Sequence, residues 1–292
     1  MPSRTNRLED LFSYKPRPYQ TKYRHAKYAG TMGDVFKHVL LLHSLEVCLE
    51  SRHKEDRSPF RYRETHSGPG ISELGDGGRW LLGIGCLEDK NDLAGVYGGL
   101  PDWCSQAVNH RRYHGSWVRV AQHLNASCSS YFLDLWELDP AVVERMVKSC
   151  RTLARSDCHH IYGEDGFLAL QDNPQRYDLT FLDPPYTVQE QQDDWSATIL
   201  AVQILLQQGQ EFVLWYPRFT ESRAQKFCNA VGLPGVELIW DNHRHGKSYR
   251  STGCGMIWSP KLYAKVRRYW FRWQQLADFW AVDLNRRTVS ES

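Results

Sequence analysis

Tyr177-Asp178-Leu179-Thr180-Phe181-Leu182-Asp183-Pro184-Pro185-Tyr186 decides how this chain folds. Its first six residues read as a buried strand of a mostly parallel sheet. Two prolines then forbid helix and further ladder pairing alike, so the backbone is stiff just past the strand's carboxyl edge. Open α/β sheets place their ligands at that edge. The turn presents an acid, a carbonyl outside any ladder and an aromatic ring. These suit an aromatic amine such as the exocyclic nitrogen of adenine: carboxylate and proline carbonyl each accept an N–H, and Tyr186 stacks on the ring. The plainer reading is a turn whose Asp caps its own backbone. Position at a strand end favours the functional reading.

Working outward, strand-like stretches recur at Phe60 to Glu64, Tyr131 to Trp136, Cys158 to Tyr162, Phe212 to Tyr216, Val236 to Trp240 and Cys254 to Trp258. Helical patterns at 34–50, 141–154, 194–207 and 221–230 surround or separate them. Such alternation predicts parallel pairing with crossover helices. The fold class is therefore α/β, Rossmann-like, with a mostly parallel seven-stranded sheet. The last two strands, joined by a polar loop, form an antiparallel edge hairpin. Residues 72–125 lack strand alternation and carry turn signals at Gly75, Gly77-Gly78, Gly98-Gly99 and Pro101, which predicts a small inserted helical subdomain. Residues 1–22 read as a poorly ordered basic arm. Lys261 to Trp280 reads as a basic aromatic helix with Leu262, Val266, Trp270, Trp273 and Leu276 on one stripe; packing against the domain with a solvated cationic face is preferred to an RNA-binding helix.

The composition is that of an ordinary water-soluble chain of 292 residues, 41% hydrophobic and 24% charged. A net charge of +2 means that any nucleic-acid surface is a local patch. No apolar run approaches the roughly 18 residues that span a bilayer, and the polar N-terminus lacks a signal-peptide core. The reading is a cytoplasmic protein without a membrane segment. The eight cysteines include no C-x-x-C pair, which argues for reduced thiols and no metal site.

Four further features collect on the carboxyl rim if the strands are parallel. His66-Ser67-Gly68-Pro69-Gly70 follows the first strand and lets backbone approach a ligand closely. Glu137 ends the second, where an acid can accept ribose hydroxyls. Asp165-Gly166-Phe167 follows the third, and its Asp either accepts an adenine amino group or caps the next helix. Asp183 ends the fourth.

These residues resemble class I S-adenosylmethionine-dependent methyltransferases with a D-P-P-Y motif, and more narrowly the RlmJ family of bacterial 23S ribosomal RNA adenine-N6 methyltransferases. The similarity runs from about Tyr23 to Pro260. It is most specific in Tyr23-Arg24-His25-Ala26-Lys27-Tyr28-Ala29-Gly30 and Gly33-Asp34-Val35-Phe36-Lys37-His38. Thr65 to Gly70, Gly115-Ser116, Glu137, Asp165-Gly166-Phe167, Leu182 to Tyr186, Leu214-Trp215-Tyr216-Pro217 and Gly255-Met256-Ile257 follow in the family's order. The resemblance implies that His38, His66, Ser116, Glu137, Asp165, Gly166 and Asp183 line an S-adenosylmethionine pocket. Asp183, Pro184 and Tyr186 would act on the flipped base, and Tyr23 would meet the target nucleotide. Lys37 and the loop residues Arg244, Lys247 and Arg250 are the expected contacts to substrate RNA. The implied partner is 23S ribosomal RNA, protein-free or in an early assembly intermediate, acted on by a monomer. Rival readings are a DNA adenine-N6 enzyme, a ribosomal RNA guanine-N2 enzyme and a non-catalytic nucleic-acid binder of DNA uptake or catabolism.

Overall fold

Alternating side-chain direction along the strands sets the architecture. In β6 (Leu179–Leu182), Leu179 and Phe181 join one apolar cluster while Leu182 joins another on the opposite face. In β7 (Phe212–Arg218), Val213 points to the first cluster and Phe212, Leu214 and Tyr216 to the second. Both faces are therefore covered, as parallel strands require. This computed structural model describes residues 28–52, 58–128, 130–172, 175–186, 195–241 and 251–287. The expected arm at 1–22, Tyr23, Arg24, Lys27 and the loop with Arg244, Lys247 and Arg250 lie outside the described residues.

The remaining strands of the main sheet are β1 (Phe60–Glu64), β4 (Tyr131–Trp136), β5 (His159–Tyr162), β8 (Gly235–Ile239), β9 (Gly253–Trp258) and β10 (Asp283–Arg287). They form one eight-stranded sheet in the order β10-β8-β9-β7-β6-β1-β4-β5. From β5 to β7 all pairs are parallel, and β9 runs antiparallel to both β7 and β8. The chain leaves β1 for β4 and β5, then returns to β6 on the other side of β1. The loops after β1 and β6 thus flank a topological switch point, where open sheets bind ligands.

One face carries α1 (Met32–Ser51), α4 (Ser116–Ser127) and α5 (Pro140–Cys150); the other carries α6 (Gly166–Asp172), α7 (Ser196–Gln207) and α8 (Glu221–Val231). Helix α1 starts at Thr31, whose hydroxyl accepts the Asp34 N–H, while Asp34 accepts the Gly30 N–H. It is apolar on nearly every side because the sheet covers one flank and other helices the rest. The segment read as a helical insert holds α2 (Leu93–Val96) and α3 (Leu100–His110). It also holds a short antiparallel pair, β2 (Ile71–Glu73) with β3 (Arg112–His114), too brief for a period-two signal. Helix α4, at its end, packs on α1 and β4.

The sheet has one strand more than the seven expected. Strand β10 pairs with β8, so the β8–β9 hairpin is covered where an edge was predicted. Its sequence, Asp283-Leu284-Asn285-Arg286-Arg287, offers one apolar side chain. Charge holds it instead: Arg287 pairs with Glu237 of β8 at 2.7 Å and with Glu221 of α8 at 3.0 Å. The Glu237 side chain is 1% exposed and also accepts the Tyr216 hydroxyl at 2.7 Å. Removing one member of a buried pair leaves its partners desolvated and unmatched. Glu237→Ala is expected to cost about 3–5 kcal/mol in urea unfolding, with loss of β10 protection in hydrogen exchange.

The stretch expected as one C-terminal helix is two, α9 (Pro260–Val266) and α10 (Trp270–Phe279), joined by a 3-10 turn at Arg267–Tyr269. They dock on α1 through aromatic rings. Trp273 stacks on Trp258 at 5.5 Å and donates to His43 Nδ1, and Trp258 donates to the Ser44 hydroxyl.

Candidate active site

The loop after β1 is tied to both neighbouring strands. The Thr65 N–H donates to the Phe181 carbonyl at 3.1 Å and the Ser67 N–H to the Trp136 carbonyl at 2.9 Å. Gly70 has φ +80°, and a Cβ there would lie 2.2 Å from the Trp117 ring. Only glycine allows this turn to lie against α4.

The rim acids assemble around that loop. Glu137, after β4, accepts the Gly68 N–H at 3.2 Å and the Asp139 N–H at 3.0 Å. Burial pushes its carboxyl up, and those amide donors pull it back. Each oxygen keeps lone pairs for a vicinal diol. Asp165, after β5, accepts the Phe167 and Leu168 N–H groups at 2.8 and 3.2 Å, so it does cap α6. Beside it, a Cβ on Gly166 would stand 2.0 Å from the Thr65 carbonyl oxygen. His66 meets Phe167 edge-on at 4.7 Å, with Nδ1 2.9 Å from the Thr65 hydroxyl. Burial lowers its pKa to about 4 against the pull of Asp165, so the ring is neutral at pH 7.

Asp183, after β6, has a side chain 19% exposed, and its Oδ2 accepts from Lys37 Nζ at 2.7 Å. Lys37 also pairs with Asp34 at 3.0 Å. Burial raises the Asp183 carboxyl and the ammonium opposes that rise. The expected role of Lys37 as an RNA contact does not match this placement: it is buried between two carboxylates because α1 lays it over the switch point. Its ammonium stands 5.1 Å from the centre of the Trp215 ring. Tyr186 is also placed differently from expectation. It is 3% exposed, donates to the Trp215 carbonyl at 2.6 Å and packs against Trp195 and Phe227. Its ring anchors the Asp-Pro-Pro turn from beneath and shows no open face.

His38 and Ser116 reach the same region from α1 and α4. His38 Nδ1 lies 2.9 Å from the Tyr113 hydroxyl, and burial, with Lys37 and Arg119, keeps the imidazole neutral. Ser116 bonds to Glu64, the last residue of β1. Glu64 is the group that sequence reasoning missed as a participant, although it ends its strand as Glu137 and Asp183 follow theirs. It is fully buried and 2.6 Å from the Tyr62 hydroxyl. Burial pushes its pKa up to about 8; bonds to Ser116 and Tyr62 oppose the rise, and Asp183 adds to it.

That shift has a sign. The folded state holds the Glu64 proton to about pH 8, the unfolded chain only to its ordinary value of 4.5. Stability contributed by this group is full below the lower value and is lost as pH rises through the window. Glu64→Gln, a mimic of the neutral acid, should melt with wild type near pH 5 and above it at pH 8.5. Equal melting at both pH values would contradict the assignment.

The crystal structure of protein LPL1258 from Legionella pneumophila shares the fold at TM-score 0.73, with 22% identity over 90% of this chain and 99% of that one. Ribosomal RNA large subunit methyltransferase J of Escherichia coli (strain K12) is 26% identical over 260 residues, covering 80% of this chain and 85% of the relative. The protein of the same name from Haemophilus influenzae is 23% identical over 235 residues, 74% of this chain and 77% of the relative. The model of the family described as "Ribosomal RNA large subunit methyltransferase D, RlmJ" matches residues 57–258. With a Rossmann-like sheet whose switch point gathers Glu137, Asp165 and Asp183, this chain belongs to the RlmJ family of ribosomal RNA large subunit methyltransferases.

Proposed function

We infer that the protein uses S-adenosylmethionine to methylate the N6 amine of an adenine in 23S ribosomal RNA, flipped out of its stack into the turn at Asp183. The observation that carries this reading is the Asp183-Pro184-Pro185 turn at the switch point, its carboxylate held by Lys37. The residues present fit the cofactor. Glu137 has acceptor capacity for a ribose diol, the Gly68–Gly70 turn admits a ligand against backbone, and Asp165-Gly166 closes tightly on Thr65. His38, His66 and Ser116 complete the lining. When bound, S-adenosylmethionine supplies an electrophilic methyl group.

The amine lone pair of adenine is delocalised into the ring and is a poor nucleophile. Asp183 Oδ1 and the Pro184 carbonyl accept its two N–H bonds, which localises the lone pair and aims it. Lys37 opposes the rise that burial imposes on the Asp183 carboxyl, which favours the ionised acceptor. Alignment supplies most of the rate. The methylated aminium is strongly acidic, and its proton passes late to Asp183 or to water. Tyr186 fixes the turn through Trp215, and an unstacked RNA adenine is less costly to extrude than one inside a duplex.

The test is incubation with labelled S-adenosylmethionine and protein-free 23S RNA, followed by nucleoside analysis. N6-methyladenosine is the expected product. N2-methylguanosine, or transfer to DNA in place of RNA, would replace this reading with one of its rivals, and an assembly intermediate as the preferred substrate would refine it.

A further inference from the structure

Residues 261–272, Lys-Leu-Tyr-Ala-Lys-Val-Arg-Arg-Tyr-Trp-Phe-Arg, carry five cations and no acid in a chain whose net charge is only +2. The positive charge is therefore concentrated at α9 and the start of α10. Near the end of this block Phe271 is 86% exposed, by far the most exposed large apolar side chain among the described residues. Its neighbours Leu262, Val266, Tyr269 and Trp273 are buried against α1, so helix docking does not require Phe271. Lys261, Arg267 and Phe271 are each exposed, with Arg267 and Phe271 four residues apart across the junction into α10. Beside them the Arg286 guanidinium lies 4.3 Å from the Trp270 ring centre and Arg272 lies 5.3 Å from that of Tyr269. A solvated cationic face needs no bare aromatic ring beside it, and an apolar protein partner needs no cations. A strand of phosphates with unpaired bases matches both.

We propose that the exposed flank of α9 and α10 is a second contact for the RNA substrate, with Phe271 stacking an unpaired base and Lys261 and Arg267 meeting the flanking phosphates. The inference rests on RNA being the substrate. Position supports it. Tyr269 bonds to Glu46 and Arg268 to Glu50 of α1, the helix that also carries Lys37. At about 1.5 Å per residue the platform lies roughly 15–20 Å along α1 from the reactive turn. That is within one turn of a nucleic-acid duplex, about 34 Å, so a single folded RNA element spans both.

The test uses the full chain with Phe271→Ala and with Lys261→Glu/Arg267→Glu, side chains that the core does not use. Affinity for a long protein-free 23S RNA fragment is measured across salt, beside a short hairpin, the melting temperature and kcat at saturating RNA. Phe271→Ala should weaken long-RNA binding about 10-fold. The charge reversal should flatten the log K against log salt slope by about 1.5–2. Short-hairpin affinity, melting and kcat should stay as in wild type. Variants that bind the long RNA within twofold of wild type overturn the platform and leave methyl transfer standing. Phe271-dependent RNA binding without an N6-methyladenosine product upholds the platform and overturns the reaction. Loss confined to vesicles of phosphatidylserine and phosphatidylcholine, or a change of oligomeric state alone, also overturns it.

Discussion

Asp183→Asn is expected to lower kcat by about 10³-fold while S-adenosylmethionine binding by calorimetry is partly retained. The substitution is nearly isosteric, so the expectation rests on charge and hydrogen-bond direction. Lys37 sits 2.7 Å from one oxygen of Asp183 and has only donors to offer. An asparagine there must turn its carbonyl oxygen to the ammonium, which aims its NH2 group at the incoming amine. Two donors then face each other where the reaction needs an acceptor. The lost alignment and lost negative charge act on the transition state together, and removal of one preorganised group of this kind costs about 10²–10³. Turnover within tenfold of wild type would mean that the turn carbonyl alone positions the base.

Gly166→Ala should be among the most damaging single-methyl additions at the described residues. The added Cβ would stand 2.0 Å from the Thr65 oxygen and 2.6 Å from its Cα and carbonyl carbon, all backbone atoms fixed by the ladder to β6. No flexible side chain can yield, so α6 must shift away from the loop after β1. Overpacking of this kind costs about 1–3 kcal/mol and occasionally more, and this site belongs at the upper end. The expected result is a melting temperature lower by about 5–10 °C, with weakened cofactor binding because Asp165 and Phe167 move with the helix. Gly163→Ala is the control: nothing lies within 4 Å of its Cβ position. Equal melting of the two variants would show that the loop gives way.

What the sequence disclosed followed from local chemistry. The strands β1, β4, β6, β7 and β9 are short, rich in aromatic or β-branched residues and bounded by turn residues, so their boundaries were readable within a residue or two. Proline stiffness marked the turn at Asp183 for the same reason. What stayed hidden depends on partners distant in the chain. Lys37 resembles any basic residue on a helix until the fold brings Asp183, 146 positions away, within bonding distance. Tyr186 looked like a stacking platform, but Trp195, Trp215 and Phe227 close around it only after β7 and α8 are in place. Strand β10 has almost no apolar pattern because ion pairs to Glu237 and Glu221 position it, and period-based reading does not register ion pairs. Glu64 reads in the sequence only as the end of a strand, yet it is the buried acid that links Ser116, Tyr62 and the field of Asp183.

The pairing of β10 with β8 also bears on how the protein behaves in a crowded solution. Without that last strand, the N–H and C=O groups of Gly235 to Ile239 would face solvent as a ready template for another chain. The C-terminal tail therefore acts as a guard against self-templated aggregation. Proteolytic trimming back to Trp280 would yield a molecule with its reaction centre intact and a strong tendency to precipitate.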